Sequence, residues 1–265
     1  MYTLSTLDQL RARLGLASSD TADDPRLLNA LQAAAAQIER AAGRRFCPRQ
    51  KAIQHNYSSS LELLLDDDLL ELTSLTNGDG SSINLTDVIP VPDEAPFSYL
   101  RLTGSSAFTW NSSPLQAVTV NGIWGWHDRP VEMWRVSGDT VQNNPLSSSG
   151  TSLTVTGAGG VDIEAIAPRF QVGHLLKIDT EYLRVTAVNT ATNVLTVLRA
   201  ANGTSATSHT LNTPIYTYQP PAELNALALR WAGWLYKEAD SAAFEAAPDA
   251  LQAALAPFRR VEVKV

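Results

Sequence analysis

Three adjacent carboxylates, Asp66-Asp67-Asp68, form the densest set of oxygen donors in the chain. Hard divalent cations take such ligands. Neighbours along a strand point to opposite faces, however, and no glycine-bearing calcium loop surrounds the run, so a solvated acidic turn is expected. Cys47 and His55 could supply a thiol and a base. With no third partner and no local signature, an inert cysteine is expected. His127, His174 and His209 lie far apart and lack zinc-ligand spacing. Gly157-Ala158-Gly159-Gly160 misses the dinucleotide fingerprint, opens no helix, and reads as a flexible turn. Trp110, Trp124 and Trp126 could stack on sugar rings. Amphipathic aromatics at strand ends more often anchor packing or protein interfaces, so Trp124 and Trp126 are interface candidates. Arg259 and Arg260 could touch nucleic acid or a partner's carboxylates, but a helix-end pair balancing the dipole is the expected role. The residues therefore point to a protein without catalytic machinery, metal or cofactor.

Charge and composition narrow the class. Net charge is −7 with only 18% charged residues. Residues 1–56 carry most of the early cations, among them Arg40, Arg44, Arg45, Arg49 and Lys51. Residues 57–100 hold nine carboxylates, including Glu62, Asp66, Asp67, Asp68 and Glu71, and no Lys or Arg. Binding DNA needs clustered cations that displace condensed counterions; the strongest single-sign stretch here is negative, so specific DNA binding is not expected. No run approaches about 18 uninterrupted apolar residues, so no membrane span is expected. The start has no basic region followed by an apolar run, so no secretory signal is read. Cys47 has no second cysteine to pair with, and cytoplasmic synthesis is the default.

The elements that must position these residues divide into helical ends and a β-rich middle. Ser5 or Thr6 with Asp8 suggests a capped helix over Ser5–Gly15, with Leu7, Leu10 and Leu14 on one face. Asp24-Pro25 reads as an N-cap followed by a first-turn proline, opening a helix that Gly43 closes. Two more helices follow, Pro221–Glu238 and Ala247–Phe258. Neither flank has apolar face enough for a core, so the ends should pack together. Ala33 to Ala36 and the alanines from Ala242 to Ala256 bury little area each, which suggests that other subunits complete their burial. The middle shows strands at Tyr99–Leu102, Ala117–Ile123, Leu153–Thr156, Leu175–Asp179, Leu183–Val188, Val194–Arg199 and Ile215–Tyr218, with a turn at Asn77–Gly80 and a Ser/Gly/Asn-rich linker at Ser137–Gly150. The expected fold is α+β: a helical core from 1–45 and 220–258, a β-rich extension over 46–135, and an inserted antiparallel barrel or sandwich-like module over 136–219. Residues 259–265 read as a C-terminal strand or tail, since the alternation in Val261–Val265 puts Val261, Val263 and Val265 on one face.

Taken in order, several segments resemble the head-to-tail connector (adaptor, or head-completion) family of tailed bacteriophages. They are Leu4-Ser5-Thr6-Leu7-Asp8-Gln9-Leu10-Arg11, Asp23-Asp24-Pro25-Arg26-Leu27-Leu28, the stretch Ala34 to Phe46, Val118 to Trp126, and Pro221 to Ala228. The segment Phe170–Asp179, with Leu195–Arg199 and Asn202-Gly203-Thr204, is similar to β modules of phage virion proteins, an insertion that compact connectors lack. The resemblance implies a homo-oligomeric ring of twelvefold symmetry in the virion neck, assembled in the host cytoplasm. Its partners would be the portal protein and stopper or tail proteins, with genomic DNA passing unbound through the lumen. On that reading Asp66, Asp67 and Asp68 would face the channel, while Arg259, Arg260 and the terminal valines would dock a partner. A stopper or tail-joining protein is the neighbouring alternative; a carbohydrate-binding module using Trp110, Trp124 and Trp126 is the more distant one.

Overall fold

The computed structural model describes residues 3–17, 19–238 and 247–260. The fold is α+β, with four helices and two antiparallel sheets of six strands each. It divides into two compact units, Met1–Gly43 with Val131–Val265, and Arg44–Pro130.

The helices belong to the first unit. Helix α1 (Leu7–Leu14) is capped by Thr6, whose Oγ1 accepts from Gln9 N at 3.2 Å while Gln9 Oε1 accepts from Thr6 N at 3.0 Å. This reciprocal box satisfies two orphan donors and replaces the expected Ser5–Asp8 pairing. Ser5 instead donates to the Asn225 carbonyl at 3.1 Å, and the Asp8 carboxylate accepts from Arg11 at 2.6 Å. Helix α2 (Asp24–Ala42) begins one residue earlier than expected. Asp23 is its N-cap residue and makes no side-chain cap, and Asp24 is already helical, its carboxylate held by Arg11. Gly43 ends α2 at φ 66°, as its position in the sequence suggested.

Helix α3 (Ala222–Glu238) returns against α1 and α2, with Leu224, Leu227, Ala228 and Trp231 buried. The Trp231 indole donates to Gln37 in α2 at 2.8 Å, and the Asn225 amide donates to the Leu4 carbonyl at 2.9 Å. The two ends of the chain thus form one helical bundle. Ala30, Ala34, Ala35 and Ala42 of α2 are buried by their own chain. Ala33 and Ala36 stay half-buried, and the small side chains of α2 let α3 approach closely. Helix α4 (Asp249–Ala254) is shorter than its alanine pattern suggested and passes into a tight turn at Ala256–Phe258, where Pro257 cannot donate. Ala242, Ala243 and Ala246 lie outside the described residues.

The same unit carries the second sheet, in the order β7 (Trp134–Thr140), β12 (Pro214–Tyr218), β9 (Leu175–Ile178), β10 (Glu181–Asn189), β11 (Val194–Leu198), β8 (Ser152–Thr154). Its inner face packs Leu153, Phe170, Leu176, Leu183, Val197 and Ile215. The ladder stays open; only local bonds such as Gln142 N to the Thr154 carbonyl (2.9 Å) bring its two end strands together. The expected linker at Ser137–Gly150 is partly strand, because Ser137 to Thr140 complete β7. The Ser137 hydroxyl, pointing inward, donates to the Ile215 carbonyl at 2.7 Å, which makes a polar residue compatible with the interior.

The other unit holds β1 (Arg49–His55), β2 (Glu62–Thr76), β3 (Ser82–Ile83), β4 (Val88–Val91), β5 (Phe97–Leu102) and β6 (Val118–Trp124). They pair in the order β1-β6-β2-β5-β4, with β3 against β2. Leu63, Leu65, Leu100, Phe108, Val120 and Trp124 fill its core. Gly122 lets β2 and β6 close up, since a Cβ there would sit 2.3 Å from the Glu71 carbonyl oxygen.

Candidate functional site

The acidic run lies within strand β2, at a bulge where the pairing with β5 shifts between Leu64 and Leu69. It is therefore not the expected turn. The bulge rotates successive side chains so that three neighbouring carboxylates meet three different partners. Asp66 Oδ2 stands 3.1 Å from His55 Nδ1 on β1 and stays open to solvent, with 69% of its side chain exposed. Asp67 is bound by the Arg49 guanidinium. Asp68 pairs with Arg44 Nε at 3.4 Å, with 12% and 11% of the two side chains exposed. Further along the same sheet, Glu62 takes two bonds from Arg101, at 3.0 and 2.7 Å. The stretch that looked uniformly negative is thus met by cations from segments before and after it. Two of the three proposed channel-facing carboxylates are mostly covered by arginines of the same unit, and of the three Asp66 is the exposed one.

The aromatic candidates separate in the same way. Trp124 is 0% exposed; its indole donates to the Lys51 carbonyl at 2.8 Å and its ring lies 5.5 Å from His55. That is a correction: alternation along β6 turns this side chain into the core, so it anchors packing and cannot reach a partner. Trp126 is partly exposed, set edge-on to Phe46 at 5.8 Å, with the Arg44 guanidinium 5.2 Å from its ring. Trp110 is exposed on a loop bridged to Gly78. With Trp124 enclosed, the three tryptophans do not form a sugar-stacking platform. Cys47 is buried, and His55 is engaged with Asp66.

Arg259 is exposed, and the Arg260 backbone N–H donates to the Ala42 carbonyl at 2.8 Å, fastening this end of the chain to the last turn of α2. Val261, Val263 and Val265 lie outside the described residues.

The most developed charge cluster was not singled out from the sequence. Glu181, at the start of β10, is 0% exposed and sits at the centre of a network. Its Oε1 accepts from Arg199 Nε at 2.8 Å and Ala200 N at 2.9 Å. Its Oε2 accepts from Arg199 Nη2 at 2.7 Å and Thr207 N at 2.9 Å, and lies 2.9 Å from His209 Nε2. The other ring nitrogen of His209 lies 2.8 Å from Asp179. Arg199 also donates to the Ser147 and Gly150 carbonyls, at 2.6 and 2.7 Å. Burial alone would raise the Glu181 pKa, but Arg199 and the backbone donors outweigh it and hold the carboxyl at about 2. Asp139 follows the same logic: burial raises it, while the N–H groups of Thr156, Gly157 and Thr140 and the Arg169 guanidinium bring it below its ordinary value. His174 moves the other way. Burial first, and then the Arg135 charge, lower it to about 4, with Asp162 partly opposing. Every oxygen of Glu181 is committed to stapling loops 147–150 and 199–209 onto the sheet. That is structural work, with no nucleophile among the contacts. The sequence signal was faint: Asp179, Glu181, Arg199 and His209 lie at no motif spacing.

Among the described residues no group of three or more His, Cys, Asp or Glu side chains is placed to hold a metal ion, and no helix is long and apolar enough to cross a membrane. No family model and no curated protein matches the chain. Among solved structures it is similar to a chain of one described as "Neck of empty GTA particle computed with C6 symmetry". That match has 14% identity and a TM-score of 0.46, over 97% of this chain and 90% of that one. A likeness this distant carries no argument.

Proposed function

We propose that the chain is a structural protein of the neck of a phage-like particle. It forms a ring that joins portal to tail and continues the DNA channel, and it works through protein–protein contacts with no catalytic step. The observation that carries this reading is the fold of the two chain ends. Segments that resemble the connector family in sequence, Leu4–Arg11, Asp23–Leu28, Ala34–Phe46 and Pro221–Ala228, supply the helices that pack into one bundle, joined by Trp231–Gln37 and Asn225–Leu4. The charge arrangement supports the same reading, because the densest polar cluster, around Glu181, is used up in holding loops. Asp66 is the group that would line a DNA passage, where screening limits repulsion to about 8 Å at physiological salt. Arg259 and Arg260, with the terminal valines, would dock the portal or tail partner, and Trp126 would sit at an interface edge.

The test is a native mass measurement of the purified chain with and without its particle's portal protein, followed by imaging of the neck in particles carrying a labelled chain. A discrete ring that co-purifies with the portal and labels the neck is the expected result. A chain that stays monomeric in both samples and is missing from particles would overturn the reading.

A further inference from the structure

A rigid loop and an open sheet face offer complementary surfaces. Loop 161–166, between β8 and β9, presents Val161, Ile163 and Ile166 to solvent, with Ile163 62% exposed. It is held firmly. Asp162 Oδ1 accepts from Glu164 N and Ile166 N, both at 2.9 Å, and its own N–H donates to the Ile166 carbonyl at 3.0 Å. Arg169 donates twice to the Val161 carbonyl, at 2.9 and 2.7 Å, and Arg135 pairs with Asp162 at 2.8 Å. Gly138 admits the loop, since a Cβ there would meet Ile163 at 2.8 Å. At the tip, the Glu164 side chain is 54% exposed and pairs loosely with Arg135, at 3.8 Å. Three exposed aliphatic side chains within six residues make this loop a candidate contact surface.

The ladder of the other unit's sheet builds the matching face. Cross-strand pairing puts Glu62, Arg101 and Ile89 in one row and Leu64, Tyr99 and Val91 in the next, all on the side away from Leu63 and Leu100. Leu64 and Ile89 are exposed there, and the Arg101 guanidinium lies 5.8 Å from the Tyr99 ring. Glu62 takes Nε and Nη2 of Arg101, which leaves Nη1 with no hydrogen-bond partner among the described residues.

We propose that loop 161–166 of one copy docks on the outer face of β2, β5 and β4 of a second copy, with Ile163 set against Leu64 and Ile89 and Glu164 reaching Arg101 Nη1. Charge complementarity selects a second copy as the occupant: a half-exposed carboxylate amid aliphatic side chains on one surface matches a half-exposed guanidinium, with Nη1 open, amid aliphatic side chains on the other. The two surfaces differ, so the contact is head-to-tail, and repetition gives a ring where the rotation closes. The inference rests on the ring reading above and names the contact that would build it.

The experiment compares the full-length chain with Glu164→Arg, Arg101→Glu, the double variant and Ile163→Asp by sedimentation equilibrium, with circular dichroism to confirm folding. Each single charge reversal should weaken self-association by about tenfold or more. The double variant should regain it, and Ile163→Asp should abolish it. Self-association that ignores all four changes, that is not rescued by the double variant, or that is absent from the wild-type chain would overturn the proposal. Neck labelling separates this from the broader reading. A chain found in the neck whose assembly ignores Glu164→Arg defeats this contact alone, whereas a self-associating chain absent from particles defeats the neck reading.

Discussion

The two sheets handle buried and half-buried charge in opposite ways. In the Arg44–Pro130 unit, the carboxylates of the acidic run take separate partners at graded depth: Asp66, with His55, is exposed, Asp67, with Arg49, is partly covered, and Asp68, with Arg44, is buried. In the sheet running from β7 to β12, Glu181 is sealed from water and collects its donors from one loop, 199–209. Pairs in contact with water gain little, because solvent screens them and competes for their hydrogen bonds. A sealed network is costly to disrupt, since removing one member leaves the others desolvated and unmatched. The first arrangement lets an acidic strand sit in a sheet; the second locks the geometry of loops.

The largest expected effect tests that contrast directly. Arg199→Ala leaves Glu181 buried without its main counter-charge and should destabilise the chain by about 3–5 kcal/mol, read from urea denaturation. Trp124→Ala, which empties the core of the other sheet, should cost a similar amount, about 3–5 kcal/mol, by cavity formation rather than by charge. Acid titration sharpens the comparison. Glu181 sits at about 2 in the folded state against an ordinary 4.5, so the unfolded chain takes up that proton first. The stability it contributes is whole above pH 4.5 and is lost as pH falls towards 2. His174, at about 4 against 6.5, likewise binds its proton first in the unfolded chain, and stability falls between pH 6.5 and 4. Glu181→Gln should flatten the lower part of a plot of urea midpoint against pH, and His174→Gln the upper part. If both variants track the wild-type curve, the assigned causes are wrong.

Smaller effects come from the surface-paired sheet and the helices. Arg49→Met removes one partner of a partly covered pair and should cost about 1.5–3 kcal/mol. A loss equal to that of Arg199→Ala would erase the distinction between the two sheets. Thr6→Ala removes the α1 cap and should cost about 1 kcal/mol, measured by the same denaturation.

The parts legible in the sequence were those set by local chemistry. Gly43, Asp24-Pro25 and the aliphatic stripes placed three helices to within a few residues, because caps and periodicity act over one or two turns. Strands with clean alternation, such as β6 and β11, were legible for the same reason. Strand β2 was missed because Asp66-Asp67-Asp68 interrupts its alternation, and only a bulge with partners on β1 and before it makes that run tolerable in a sheet. Strand β7 was missed because Ser137 and Asp139 look like linker residues until Ile215, Thr156, Gly157 and Arg169 supply their bonds. Trp124 and Trp126 are two positions apart and looked equivalent, yet the core encloses one and leaves the other at its margin.

By itself the sequence determined the helical ends, the β-rich middle, and the α+β class, since each follows from propensity and pattern within a short window. Tertiary structure alone decided which charges cancel. The basic stretch before residue 57 and the acidic one after it read as separate fields, but folding places Arg44 and Arg49 beside Asp68 and Asp67. It likewise gathered Glu181 of β10 with Arg199 and His209 of the loop 199–209, at separations that no spacing rule connects. Coulomb and hydrogen-bond energies depend on distances of a few ångströms between side chains, and those distances exist only once the chain has closed on itself.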